Sequence, residues 1–172
     1  MQQVSRSFRS FASKSLVKVR LTGNNIVTES EFLAHIVEAS RKVEKLEIEE
    51  AIIDQEYIRK LESAFLSEVL IPGTNETCGV YFKRRLKQIH LSNIMFHGDS
   101  QALKRVAVLK CVNFLSSFTH LETLDLTGLC NAPLVFQGFA NMVNLRFAHS
   151  LTSLTVNAPV LKDMNGELWE EE

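Results

Sequence analysis

The fold class this sequence predicts is α/β: a short solenoid bent into a horseshoe, with about five parallel strands on the concave side and helices on the convex side. Three observations predict it. A six-residue phrase, apolar-x-x-apolar-x-apolar, occurs five times, as Leu16/Val19/Leu21, Val43/Leu46/Ile48, Leu86/Ile89/Leu91, Leu121/Leu124/Leu126 and Leu151/Leu154/Val156. The residues that alternate with the inward pairs are all polar: Lys18, Arg20, Lys45, Glu47, Gln88, His90, Thr123, Asp125, Ser153 and Thr155. That is the period-two pattern of a strand with one face buried. Between the phrases lie longer segments with helical spacing, so no unit can bury its own apolar face and neighbours must stack.

The elements follow in chain order. Residues 1–15 are serine-rich and carry Arg6, Arg9 and Lys14 but no acid, with Val4, Phe8 and Phe11 on a shared helical face. That composition resembles a mitochondrial transit peptide, with Arg9-Ser10-Phe11-Ala12 resembling a processing site; the alternative is a solvated N-terminal cap. After the first phrase, Thr28-Glu29-Ser30-Glu31 has capping-box spacing and leads into Phe32, Leu33, Ile36 and Val37. Asp54 is placed to cap a second helix bearing Ile58, Leu61, Phe65 and Val69. The stretch near 71–82, opening Ile71-Pro72-Gly73-Thr74-Asn75, reads as an inserted exposed loop. Ser100 is placed to cap a third helix, with Leu103, Val106, Ala107, Cys111, Phe114 and Leu115 buried. After Pro133 the segment to Phe147 is apolar, and Gly138 argues for a short or broken helix. Residues 162–172 are expected to form an acidic C-terminal cap or tail, with Trp169 covering the last unit's open edge.

Composition bounds the rest. A chain of 172 residues with 45% hydrophobic content suits one domain, here residues 16–161. The net charge of -1 excludes a generally basic nucleic-acid binder. Residues 1–28 hold five basic residues and no acid, which leaves 14 basic against 20 acidic in the remainder. Cys78, Cys111 and Cys130 are odd in number and far apart, a pattern that suggests neither a disulfide framework nor a zinc site. No apolar run reaches the ~20 residues of a membrane span, so the chain is expected to be soluble or peripheral to a membrane complex.

In the first unit, Leu16-x-x-Val19-x-Leu21-x-x-Asn24-x-Ile26 resembles the full leucine-rich-repeat consensus, whose asparagine bonds the backbone of the turn. The other units keep only the front half, with Ala51, Ile94, Leu129 and Pro159 at the asparagine position. They resemble the irregular repeats of the ribonuclease-inhibitor-like and F-box-associated groups, and the resemblance runs from about Leu16 to Leu161. In size, fold and address the chain is similar to small mitochondrial leucine-rich-repeat proteins associated with ATP synthase and respiratory-complex assembly.

The candidate protein-binding surface is the outward face of the strands: Lys18, Arg20, Lys45, Glu47, Glu49, Gln88, His90, Thr123, Asp125 and Thr155, with Arg20 and Glu47 close enough to pair across adjacent strands. Lys83, Arg84, Arg85 and Lys87 form the densest basic cluster, which reads as a solvated edge, a protein contact or, less in keeping with the overall charge, an RNA contact. The histidines are scattered, and neither a phosphate loop nor a nucleophile elbow occurs. No catalytic residue, cofactor or metal is expected. The expected function is therefore non-catalytic: a structural subunit or assembly factor of a large complex on the matrix side of mitochondria, with protein subunits as partners. The alternatives are a cytosolic or nuclear recognition module of the F-box-receptor type and an RNA- or mitoribosome-associated accessory protein.

Overall fold

The computed structural model describes residues 18–23, 30–40, 42–130, 132–140 and 147–156. Leu16, the segment 1–15, Asn24 and the acidic end 162–172 lie outside the described residues, as do the roles expected of them. The described chain is an α/β structure built around a five-stranded parallel sheet. In chain order its elements are β1 (Lys18–Thr22), α1 (Ser30–Ser40), β2 (Lys45–Glu49), β3 (Ile52–Ile53), α2 (Gln55–Phe65), α3 (Cys78–Arg85), β4 (Gln88–Ser92), β5 (Met95–Phe96), α4 (Gln101–Ser116), β6 (Thr123–Asp125), α5 (Ala132–Ala140) and β7 (Ser153–Thr155). The main sheet has the order β1-β2-β4-β6-β7, so neighbours in space follow one another along the chain; β3 and β5 pair as a second, two-stranded parallel sheet.

The phrases align in register. Val19 lies opposite Leu46 and Leu21 opposite Ile48; Leu46 and Ile48 lie opposite Ile89 and Leu91; Leu124 lies opposite Ile89 on one side and Leu154 on the other. A one-residue slip would send every one of these side chains to solvent, so burial of one face enforces the register. Apart from Leu154, these inward residues join Leu33 and Val37 of α1, Ile58 and Leu61 of α2, Phe82 of α3 and Phe114 and Leu115 of α4 in a single core. Phe65 meets Phe82 edge-on at 4.9 Å and Phe114 at 6.4 Å, which ties α2, α3 and α4 together.

Two backbone features recur at equivalent positions. The carbonyls of Glu44, Lys87 and Glu122, each two residues before the second apolar position, accept paired N–H donors from the next unit: Lys87 and Gln88, then Glu122 and Thr123, then Thr152 and Ser153. Just beyond each of the first four main-sheet strands the chain turns through a left-handed residue: Gly23 (φ 67°), Glu50 (φ 54°), Asn93 (φ 53°) and Gly128 (φ 72°). The Gly23 and Glu50 N–H groups donate to the Glu49 and Ser92 carbonyls at 2.9 and 3.0 Å, so these two turns are hydrogen-bonded to the end of the following main-sheet strand. At Gly128 a side chain would also strike the Asn93 Oδ1, which lies 2.9 Å from a Cβ built there. In place of asparagine, Ala51, Ile94 and Leu129 point into the core, while the N–H groups of Met95 and Cys130 donate to the Ala51 and Ile94 carbonyls.

Asp54 and Ser100 cap their helices, accepting from the N–H groups of Tyr57 and Leu103. Three expectations need correction. The inserted segment is not an exposed loop through 82: Ile71 is buried, Leu70 bridges Thr77, and α3 begins at Cys78, capped by Thr77, with Cys78, Gly79, Tyr81 and Phe82 buried. A Cβ at Gly79 would lie 2.9 Å from the Leu66 carbonyl oxygen, so glycine permits that close approach. On α4, Leu103 and Val106 are exposed, and Val108 and Val112 join the buried face instead. On β7, an edge strand, Leu154 is 49% exposed and lies outside the buried core, whereas Val19 and Leu21 of the other edge strand, β1, are within it.

Candidate functional site

The outward face of the main sheet collects the candidate residues. Since neighbouring strands are in register, side chains two apart along one strand form rows across all five. One row runs Lys18, Lys45, Gln88, Thr123, Ser153; the next runs Arg20, Glu47, His90, Asp125, Thr155. A third contains Thr22, Glu49 and Ser92. All ten sequence-derived face residues therefore lie on one side of the sheet.

Glu47 is the electrostatic centre. Its side chain is 8% exposed, yet three cations converge on it: Lys45 Nζ at 2.8 Å on Oε1, and Arg20 Nε at 2.8 Å and Lys18 Nζ at 3.0 Å on Oε2. The hydrogen bond from Lys45, followed by those from Arg20 and Lys18, outweighs the opposing effect of burial and holds the carboxyl down at about 2. Arg20 also reaches Glu49, with Nη2 3.5 Å from Oε1. Lys18 and Arg20 remain about half exposed, at 45% and 53%, so they face solvent as well as Glu47.

Farther along the row, His90 Nδ1 lies 3.4 Å from Asp125 Oδ2. Burial, reinforced by Lys45, lowers the His90 pKa despite the pull of Asp125 and Glu47. The other Asp125 oxygen, Oδ1, accepts from the Thr127 backbone N–H at 3.0 Å and from the Thr127 hydroxyl, which fixes that carboxylate at the turn after β6. The face thus runs from charged and mutually paired at β1 and β2 to neutral hydroxyls at Thr123, Ser153 and Thr155.

The basic cluster is divided between the end of α3 and the residue before β4. Lys83, Arg84 and Arg85 occupy the last turn of α3, and Arg84 Nη1 lies 3.5 Å from Glu76 Oε1. Lys87 lies at the rim of the sheet, between Glu44 at 3.7 Å and Glu122 at 3.9 Å. Among the described residues no group of His, Cys, Asp and Glu side chains is arranged to hold a metal ion. Burial pushes the Cys111 thiol up to about 12, which makes it a core residue and a poor nucleophile. Among the described residues no helix is long and apolar enough to cross a membrane.

Pairing Arg20 with Glu47 follows from alternation and strand spacing alone. The convergence of Lys18 and Lys45 on the same carboxylate does not, because it requires the exact register and the depth of Glu47. Glu50 and Asn93 in the left-handed turns are also missed; their signal is position, two residues after the last inward side chain of each phrase, where other units carry Gly23 and Gly128. Comparison with known proteins gives no family model that matches the chain and no curated protein or solved structure that matches it significantly.

Proposed function

We propose that the chain is a short leucine-rich-repeat solenoid of the irregular kind, bent into a horseshoe with the polar sheet face on its concave side. In this reading it acts without catalysis, as a protein–protein interaction module: a structural subunit or assembly factor of a large mitochondrial complex, such as ATP synthase or a respiratory complex. The observation that carries the reading is the register-matched row Arg20, Glu47, His90, Asp125, Thr155, which gives a broad face of fixed polar groups on a rigid sheet. Such a face suits a polar protein surface, with the paired charges setting orientation and register of docking more than raw affinity. The mitochondrial address rests on the composition of residues 1–15.

The test is native electrophoresis with mass spectrometry on fractionated cells expressing the full chain at its natural level. The parent is expected in mitochondria, co-migrating with a large membrane complex. A Gln88→Glu, Thr123→Glu variant, which adds two carboxylates to the face without touching an ion pair, is expected to migrate alone while melting like the parent. A parent found free, or in cytosol or nucleus, contradicts the subunit reading. A variant that still co-migrates contradicts the assignment of the face.

A further inference from the structure

The outer helices differ in how their charge is arranged. On α2, Glu56 and Glu62 balance Arg59 and Lys60, and Arg59 Nη2 pairs with Glu56 Oε1 at 2.6 Å. On α4 the charged residues are Lys104, Arg105 and Lys110, with no acid among them, and α5, which packs against α4, has no charged residue. In a chain of net charge -1, this pair of helices is therefore a local concentration of positive charge. A largely apolar stripe runs among the cations. Ala102, Val106, Leu109 and Asn113 follow one another at three- and four-residue spacing on one side of α4 and are all exposed, with Val106 and Leu109 at 37% and 45%. The helical positions of Arg105 and Lys110 put them on opposite flanks of this stripe. Beside it, a recess of roughly 160 Å³ opens between α4 and α5, lined by Arg105, Val108, Leu109, Leu134, Gln137 and Gly138. Gly138 lets α5 approach α4 closely, since a Cβ there would lie 3.0 Å from Val112 Cγ2. The recess is large enough for one apolar side chain and has a cation at its edge.

We propose that the exposed stripe of α4, with the recess it shares with α5, docks an acidic amphipathic helix of a partner protein. Charge complementarity selects an acidic occupant, because α4 and α5 offer cations and no carboxylate. The same charge disfavours a two-fold contact between copies of this chain, which would set α4 against α4, like charge against like. The apolar content selects protein over nucleic acid. The stripe is aliphatic, and the one aromatic residue of α4, Phe114, is buried, so the helix has no ring for a base to stack on. Three cations on α4 also fall short of the roughly four to eight that mark a polybasic lipid contact. A partner helix packed about 10 Å from α4 covers Val106 and Leu109 and places one apolar side chain in the recess. Its carboxylates, three or four residues apart along its own axis, meet Arg105 and Lys110 on the two flanks, the mode of an amphipathic helix in a groove. This site is separate from the sheet face and does not depend on the function proposed for it.

The test is photo-crosslinking in cells that express the full chain at its natural level with benzoylphenylalanine in place of Val106, followed by mass spectrometry of the crosslinked peptide. The expected product joins α4 to a segment of another protein that carries Asp and Glu on one helical face and apolar residues on the other. That segment, made as a synthetic peptide, should bind the purified parent chain and bind it more weakly at raised salt. Leu109→Ser and Arg105→Glu, both at exposed positions, should each weaken the peptide by about tenfold or more with unchanged far-UV circular dichroism. The absence of any crosslink overturns the proposal, as does a crosslink to the same chain, to a second copy, to lipid or to RNA. A crosslinked partner segment without acidic residues, or a peptide whose affinity neither substitution changes, overturns it as well.

Discussion

Ile89 in β4 and Leu154 in β7 hold the same place in their phrases, yet Ile89 is fully buried and Leu154 is 49% exposed. Both belong to the same sheet, and Leu124 lies between them in register. One difference is position in the stack: β4 has β2 on one side and β6 on the other, whereas β7 is an edge strand. At the other edge, Val19 and Leu21 of β1 are buried, so an inward-pointing residue is only a candidate for the core, and what packs over it decides its burial as much as its strand's neighbours do. The same contrast applies to polar groups. Glu47, in an inner strand, is enclosed by three cations, while Ser153 and Thr155 at the edge are exposed to water.

The sharpest way to break this comparison is to place a carboxylate at each position. Ile89→Asp buries an unpaired charge among core side chains and should cost about 4 kcal/mol or more, enough to unfold a domain of ordinary stability. Leu154→Asp should cost about 1 kcal/mol or less, because its side chain already meets solvent. Urea unfolding of both variants measures the gap, and equal losses would show that β7 is as enclosed as β4.

Next in size is Glu47. Its folded pKa of about 2 lies below the ordinary 4.5, so its contribution to stability is fully present above pH 4.5 and is lost as pH falls toward 2. Glu47→Gln removes the carboxylate shared by Lys18, Arg20 and Lys45 and leaves Arg20 with Glu49. After allowance for the solvent exposure of those cations, the expected loss at neutral pH is about 2 kcal/mol. Unfolding curves of parent and variant should converge between pH 4.5 and 2, and a gap that persists at the acid end would mean that the loss is not electrostatic.

The turns supply the smallest effects, of opposite sign. Gly128→Ala forces a side chain into left-handed backbone and against Asn93, and should lower stability by about 1–2 kcal/mol. Glu50→Gly relieves a non-glycine residue at φ 54° and should raise it by up to about 1 kcal/mol, with unfolded-chain entropy offsetting part of the gain. Thermal melts of the two variants should therefore shift in opposite directions.

The strands were legible because alternation and register are the same fact seen along and across the sheet. Asp54 and Ser100 were legible as caps because each precedes a helical pattern by one residue. α3 was not: Pro72, Gly73 and Asn75 signal a turn, and the eight-residue helix behind them ends in Lys83, Arg84 and Arg85, which read as a solvated cluster. On α4 apolar residues occur on every side, so spacing alone did not separate the buried Val108 and Val112 from the exposed Leu103 and Val106. The depth of Glu47 was hidden because an alternating pattern marks it only as outward-facing.

The central claim is that one hydrogen-bonded register runs from β1 to β7 and weakens only at the edge. Native-state hydrogen exchange tests it at the equivalent donors Gln88, Thr123 and Ser153, whose N–H groups bond to Glu44, Lys87 and Glu122. The account predicts that Gln88 and Thr123 exchange only through global unfolding and Ser153 through a smaller local opening. Fast exchange at Thr123, or protection at Ser153 equal to that at Gln88, would contradict it.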